Sequence, residues 1–174
     1  WIKKRAGTTT NWIVYTAPTG STHTMSVNAS NASSAFSAFN NTNPTSTVFT
    51  LGTDGDFNGS TLSYIAYLFA TVAGISKVGS YTGTGNDLNV DCGFSAGARF
   101  ILIKRTDGTG DWYVWDSVRG IVSGNDPYTL LNTTAAQVTN TDYIDPLASG
   151  FTVTSSAPAA LNNNGGTYIF YAIA

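Results

Sequence analysis

The 174-residue sequence contains no glutamate and only one cysteine and one histidine, and only 10% of its residues are charged. A lone cysteine, Cys92, cannot form a disulfide within the chain, which excludes a small scaffold held together by disulfides. A lone histidine, His23, excludes a multi-histidine metal site and a duplicated Ser-His-Asp device. The net charge of −2 and the scattered Lys and Arg residues argue against nucleic-acid binding.

Long apolar segments are also absent. The longest mostly apolar stretch, residues 64–75, is too short to span a bilayer and contains Gly74. We therefore expect no membrane insertion. The chain begins at Trp1 without the charged and apolar regions of a signal peptide, so we expect translation to begin upstream of residue 1.

The polar residues that are abundant are Thr, Ser, Asn and Gly, which favour strands and tight turns over surface helices. This composition is typical of an all-β extracellular protein. Predicted strands in the later part of the chain are 78–83, 88–94, 99–105, 111–117, 128–133, 150–155 and 166–174. A short helix over 29–41, with Phe36 and Phe39 on one side, is also predicted.

An internal repeat organises the sequence. Residues 2–16, IKKRAGTTTNWIVYT, align without a gap with residues 102–116, LIKRTDGTGDWYVWD. Later phrases recur in the same order: 23–28 matches 128–132, 48–52 matches 150–154, and 57–70 matches 161–174. The matched pairs are Lys4 and Lys104, Arg5 and Arg105, Thr9 and Thr109, Trp12 and Trp112, and Val14 and Val114.

The two copies differ at their front. Residues 71–100 precede the second copy and have no counterpart before the first. The sequence therefore predicts two tandem related antiparallel β-sandwich units of jelly-roll or lectin-like type: 1–70, which lacks its N-terminal strands, and 71–174, which is complete. Three explanations stay open: the preceding segment was removed, only the part from Trp1 was observed, or another chain supplies the strands.

Candidate chemical residues are few. The repeat pairs His23 with Tyr128, which favours a structural role for His23 over a catalytic one. Glycoside hydrolysis requires two carboxylates across a cleft, but the recurring phrases share none; Asp107, Asp111 and Asp116 align with Gly7, Asn11 and Thr16.

The sequence DGDFNG at 54–59 has the order of residues that begins an EF-hand calcium loop, with Asp54, Asp56 and Asn58 as candidate ligands. The twelfth position is Ile65, where an EF-hand has a bidentate glutamate. A β-turn rich in Asp, Asn and Gly is therefore the favoured interpretation, and calcium is the alternative. No other cofactor is predicted.

The series FILIKRTDGTGDWYVWDSVRG, SGFTVTS and NNNGGTYIFYAIA, preceded by ISKVGSYTGTG, resembles the repeat module of structural proteins of marine tailed bacteriophages, especially cyanophages. The resemblance covers almost the whole chain, except that the DSVRG phrase of 116–120 is missing from the first copy. It implies a virion protein of a tail fibre, an appendage or a capsid decoration, located outside the host cell. It also implies a homo-oligomer, with a trimer favoured because phage fibres are commonly trimeric.

We therefore predict a non-enzymatic virion module that contacts other virion proteins or a host surface glycan. Exposed Trp and Tyr rings can stack on sugars, so the alternative is a carbohydrate-binding module of a secreted glycan-active protein; a glycan-degrading enzyme is a third hypothesis. Structurally, we predict equivalent places for Trp12 and Trp112, Tyr64 and Tyr168, and Tyr67 and Tyr171. We also expect a neighbour to cover the surface around residues 1–5 and 64–70, because little charge protects those strand edges.

Overall fold

A computed structural model describes residues 1–5 and 10–174. The predicted correspondence of Thr9 with Thr109, and that of Gly7 with Asp107, lie outside the described residues. The chain divides into two compact units, Trp1–Leu68 and Phe69–Ala174. The prediction of an all-β fold built from antiparallel sheets is confirmed.

The first unit contains one five-stranded sheet in the order β4-β3-β2-β1-β5. Its core includes Ile2 and Ile13 from the sheet together with Phe39 and Phe57 from the connecting segments. The elements of this unit are β1 (Ile2–Lys4), β2 (Ile13–Val14), β3 (His23–Ser26), β4 (Ser34–Ala35), the one-turn helix α1 (Gly55–Asn58) and β5 (Tyr64–Ala66).

The second unit contains a five-stranded and a three-stranded sheet, in the orders β10-β9-β8-β13-β6 and β11-β12-β7. Buried residues from both sheets form its core: Ile103 and Trp115 come from the larger sheet, and Phe151 and Val153 come from the smaller one. The elements are β6 (Ser76–Thr82), β7 (Leu88–Asp91), β8 (Phe100–Arg105), β9 (Trp112–Asp116), β10 (Thr129–Leu130), β11 (Ile144–Leu147), β12 (Gly150–Val153), α2 (Ala159–Asn162) and β13 (Thr167–Ile173).

Strand β13 lies in the middle of its sheet, between β8 and β6, as its two apolar faces predict. Tyr168, Phe170 and Ala172 are buried on one face, and Ile169 is buried on the other. The predicted hairpin between β8 and β9 is also present, with Lys104 paired to Trp112. The uniformly apolar sequence thus identified the central strand.

The predicted helix over 29–41 is wrong. Ser34–Ala35 forms β4, and Asn40 and Asn41 adopt left-handed backbone conformations with φ of 51° and 49°. Asn tolerates the left-handed conformation better than most residues. A right-handed helix cannot continue through residues in this conformation. Ser side chains that bond to the backbone also compete with helix formation.

The strand pairings of the two units recur in one register, and this register corrects three of the residue matches predicted from the sequence. Thr24, rather than His23, lies at the position of Tyr128, and Lys3, rather than Lys4, lies at the position of Lys104. By the same shift, Lys4 rather than Arg5 lies at the position of Arg105, since each pairs with the helix-bridging tyrosine. The sequence alignment hid the second shift because both residues 3 and 4 are Lys. The pairs that establish the register are Thr24–Ser34 and Tyr128–Val138, and Ile2–Ile13 and Ile103–Tyr113.

Candidate functional site

The predicted calcium residues lie at the helix α1. Asp54 caps its N-terminus, with Oδ1 accepting a hydrogen bond from the backbone N–H of Asp56 at 2.8 Å. The side-chain amide of Asn58 donates to the carbonyl of Gly52 at 2.8 Å. In the described part of the chain, no group of three or more His, Cys, Asp or Glu side chains is placed to hold a metal ion. Calcium binding by Asp54, Asp56 and Asn58 stays a prediction.

The helix α2 repeats this arrangement without carboxylates. Asn162 donates from its side-chain amide to the carbonyl of Thr154 at 3.0 Å, as Asn58 does to Gly52. Pro158 stands at the N-cap of α2, where α1 has Asp54. The Asn therefore holds the turn before each helix, whether or not acidic residues accompany it.

A tyrosine hydroxyl holds the other side of each one-turn helix. In the first unit, the Tyr64 hydroxyl donates to the carbonyl of Gly55 at 2.9 Å and accepts from the N–H of Gly59 at 2.8 Å. In the second unit, the Tyr168 hydroxyl makes the corresponding bonds with the carbonyl of Ala159 and the N–H of Asn163, at 2.7 and 2.8 Å. Each hydroxyl therefore satisfies a backbone carbonyl at the start of a helix and a backbone amide at its end.

An asparagine likewise supports each Trp-containing strand. Asn28 Oδ1 accepts from the N–H of Trp12 at 3.0 Å, and its side-chain amide donates to Asn11 Oδ1 at 2.9 Å. In the second unit, Asn132 makes the corresponding bonds with Trp112 and Asp111, at 2.9 and 2.7 Å. The side-chain acceptor is thus the amide of Asn11 in the first unit and the carboxylate of Asp111 in the second, which gives Asp111 a structural role.

The turn that follows each Trp strand has the same backbone bond but different side chains. The N–H of Gly20 donates to the carbonyl of Thr16 at 3.0 Å, and that of Gly120 donates to Asp116 at the same distance. Asp116 also forms an ion pair with Arg119. The first unit thus keeps the turn although it lacks the DSVRG phrase, and the chemical difference lies on the outer surface.

A carboxylate that sequence reasoning missed is fully buried in the second unit. Asp126 Oδ2 accepts from Trp115 Nε1 at 3.0 Å, and Oδ1 accepts from the N–H of Ile144 at 3.2 Å. Desolvation raises the pKa of Asp126 to about 6, although these donors oppose the shift. Asp126 lies in the sequence SGNDP, which is typical of an exposed turn, so no sequence signal indicated its burial.

Aromatic rings pack beside this carboxylate. Tyr113 and Trp115 are stacked with ring centroids 5.8 Å apart, and Tyr128 and Tyr143 are stacked at the same separation. Burial raises the pKa of Tyr113 to about 12. Because Trp115 is fully buried and Tyr113 nearly so, these two rings fill the core and cannot stack on a sugar.

A cavity of about 470 Å³ lies between β6 and β7. Val90 and Phe170 contribute apolar surface, and Lys77, Asn89 and Asp91 contribute polar groups. Asn89 Oδ1 already accepts from the Thr152 hydroxyl at 2.8 Å. The cavity offers one cationic and one anionic group without a paired nucleophile and base.

The single cysteine and the single histidine both lie in surroundings that indicate a structural role. Cys92 is buried in the core of the second unit, where desolvation raises its thiol pKa to about 11 and disfavours the reactive thiolate. His23 is half-buried, and its Nδ1 lies 3.0 Å from the hydroxyl of Thr22. Neither arrangement resembles an activated nucleophile or base.

A partly exposed aromatic pair distinguishes the first unit. Trp12 and Tyr67 are stacked with centroids 5.8 Å apart, and Tyr67 is 46% exposed. Trp112 is 1% exposed. The predicted equivalence of Trp12 and Trp112 therefore extends to their backbone bonds but not to their burial.

The whole chain matches one protein family. The chain belongs to the family described as a domain of unknown function, DUF7483, whose profile matches residues 1–174. No curated protein and no solved structure is similar to it. In the described residues, no helix is both long enough and apolar enough to cross a membrane.

Proposed function

We propose that this DUF7483 domain is a non-enzymatic structural module of a tailed-bacteriophage virion, built from two related β units. The observation that carries the proposal is the recurrence of one hydrogen-bond framework in both units. The backbone amide of Trp12 or Trp112, the amide of Asn28 or Asn132, and the hydroxyl of Tyr64 or Tyr168 make corresponding bonds. A tandem framework of this kind suits extension of a fibre or decoration of a particle.

The aspartates that could take part in catalysis have structural contacts instead. Asp111, Asp116 and Asp126 all accept hydrogen bonds that hold strands or turns together. A catalytic carboxylate requires access to substrate, whereas Asp126 is fully buried. The module would act outside the host cell, assembled with other virion proteins or with copies of itself, and the phage resemblance favours a trimer.

Mass spectrometry of density-gradient-purified particles, from cells that naturally express the gene, tests the virion assignment. We expect peptides from residues 1–174 in the particle fraction, at a constant ratio to other virion proteins across the gradient. Recovery of these peptides only from the cleared lysate would overturn the assignment. Release of reducing ends from host polysaccharide by the purified chain would overturn its non-enzymatic part.

The stacked Trp12–Tyr67 pair favours a second candidate function, the binding of a surface glycan. Tyr67 is 46% exposed, and an exposed aromatic ring can stack on a sugar, whereas Trp112 is 1% exposed and cannot. A glycan array probed with the wild-type chain and with Tyr67→Ala tests this function. Phe36→Ala is the matched control, since Phe36 is also exposed in the first unit. Binding that is lost only in Tyr67→Ala supports the function, and equal signals from all three chains contradict it.

A further inference from the structure

Lys77 lies on the face of β6 that points into the second unit. In the register of β6 and β13, Lys77 lies opposite Ala172, and Gly79 lies opposite Phe170. Residues paired in this way carry their side chains on the same face of a sheet. Ala172 and Phe170 belong to the core of the second unit, so the side chain of Lys77 leaves β6 on the core side.

The ammonium group of Lys77 is partly buried without a partner. Lys77 is half-buried, and its side chain makes no hydrogen bond or ion pair in the part of the chain that the structure describes. Its charge acts on Cys92, since desolvation raises the pKa of this thiol to about 11 and the positive charge of Lys77 opposes the shift. An ammonium group that loses hydration without gaining a hydrogen bond is unfavourable, so an anion at this place would stabilise it.

The cavity between β6 and β7 lies beside this ammonium group. Its volume of about 470 Å³ falls within the usual range of small-molecule sites, roughly 300–1,000 Å³. The ring of Phe170 takes the space in front of Gly79, since a Cβ added at Gly79 would lie 2.5 Å from the ring atom Cζ. Phe170 and Val90 therefore form an apolar wall next to the charge of Lys77.

Strand β7 supplies polar backbone groups to the same cavity. β7 is at the end of its sheet, and the N–H of Cys92 donates to the carbonyl of Ser149, on the side of β12, at 2.8 Å. Because successive residues of an antiparallel strand bond to opposite sides, Asn89 and Asp91 direct their N–H and C=O groups toward the open side. The wall that β7 forms thus has donors and acceptors in equal number.

Two neighbouring polar groups are already bonded and do not compete for a ligand. Because Val90 faces the core, the side chain of Asp91 lies on the opposite face of β7, where Oδ1 accepts from the N–H of Gly93 at 2.8 Å. On β6, the hydroxyl of Thr71 accepts from the N–H of Val78 at 3.1 Å. The groups left to bind a ligand are the ammonium of Lys77 and the outward backbone of β7.

We propose that this cavity binds an acidic sugar residue of the hexuronate class. The carboxylate accepts from the ammonium group of Lys77, the hydroxyls bond to the backbone groups of Asn89 and Asp91, and the ring lies against Phe170 and Val90. Sugar hydroxyls both donate and accept, which matches the mixed groups of β7. A purely apolar anion would leave those backbone groups without partners.

Titration of the isotope-labelled chain with sodium glucuronate, glucose and sodium acetate, followed by nuclear magnetic resonance, tests the proposal. We expect amide chemical-shift changes centred on residues 77–81 and 89–91. Glucuronate should bind about tenfold more tightly than glucose, which lacks the anion, and about tenfold more tightly than acetate, which lacks the ring.

Three variants locate the site. Lys77→Gln should lose the preference for glucuronate over glucose, whereas Arg99→Gln, which removes an exposed positive charge from the same unit, should keep it. Tyr67→Ala should leave the shifts at 77–81 and 89–91 unchanged, because Tyr67 belongs to the first unit. This result separates the cavity from the glycan candidate at Trp12 and Tyr67.

Several outcomes would overturn the proposal. They are the absence of saturable shifts in the wild type, equal affinity for glucose and glucuronate, and a preference for glucuronate that persists in Lys77→Gln. Acetate that binds as tightly as glucuronate would overturn the sugar part, since it would indicate a site for any small anion. None of these results bears on whether the protein is found in particles.

Discussion

The two units use the same hydrogen bonds around residues whose burial differs greatly. Tyr168 is fully buried and Tyr64 is half-buried, although each hydroxyl bridges the ends of a one-turn helix. Trp112 and Trp12 differ in the same way. The comparison teaches that short sequence phrases determine local bonding, whereas burial depends on the strands that pack around them. In the second unit, β6 and a three-stranded sheet supply that packing.

The largest expected difference between the units concerns their tryptophans. Trp112→Ala should lower the free energy of unfolding by about 3–5 kcal/mol, because it opens a cavity in a packed region. Trp12→Ala should cost only about 1 kcal/mol, since the side chain is half-buried. Urea unfolding followed by circular dichroism measures both costs. Equal costs, or a cost below about 1 kcal/mol for Trp112→Ala, would show that the two environments do not differ as described.

The buried Asp126 should give the second unit a pH dependence. Its pKa in the folded state, about 6, lies above the ordinary value of 3.8, so folding favours the protonated form. This contribution is fully present below about pH 4 and is lost as the pH rises through 6, a change of about 3 kcal/mol. Urea unfolding gives the free energy of unfolding of the wild type and of Asp126→Asn at several pH values between 4 and 7. The difference between the two chains should change with pH by this amount.

The register places Thr22 at the position of Asp126, so the first unit has no such group. Thr22→Val is therefore the control, and it should leave the pH dependence unchanged. A stability difference between wild type and Asp126→Asn that is constant from pH 4 to 7 would contradict the buried carboxylate.

The tyrosine hydroxyls should show a smaller difference of the same sign. Tyr168→Phe removes two hydrogen bonds at a fully buried position and should cost about 2 kcal/mol. Tyr64→Phe removes the corresponding bonds where water can replace them and should cost about 0.5–1 kcal/mol. Thermal unfolding of the two variants under one condition gives the ratio. A larger loss for Tyr64→Phe would reverse the comparison.

The smallest effect is expected from calcium. If Asp54 and Asp56 serve only the cap and turn of α1, millimolar calcium should leave the unfolding temperature of the chain unchanged. A bound ion would raise that temperature by mass action. An increase that disappears in Asp54→Asn but persists in Asp145→Asn would establish a calcium site and contradict the turn interpretation.

The sequence predicted the all-β fold and most strands of the second unit, because apolar alternation and Gly or Asn turns mark their limits. It missed β11, which contains Pro146, a residue that is usually confined to edge strands. β11 is indeed at the edge of its sheet. Burial of Asp126 was also not predictable, since it results from contacts with Trp115 and Ile144, which are distant in sequence.

The recurring phrases are visible in the sequence, but the register of the strand pairings is not. A sequence alignment rewards identical letters, so it matched Lys4 with Lys104, and it matched the aromatic Tyr128 with His23. The structure instead matches residues that have the same pairing partners in the neighbouring strands. This criterion shifts both of these matches by one residue. Registers of short strands depend on the lengths of the connecting loops, which composition does not determine.

The hydroxyl of Thr71 has a consequence for the outer edge of β6. It accepts a hydrogen bond from the N–H of Val78 at 3.1 Å and donates one to the carbonyl of the same residue at 3.3 Å. One side chain therefore takes the place that a neighbouring strand would have at Val78. A strand that paired with this edge would first have to displace Thr71, so the edge is protected by a hydroxyl of its own chain.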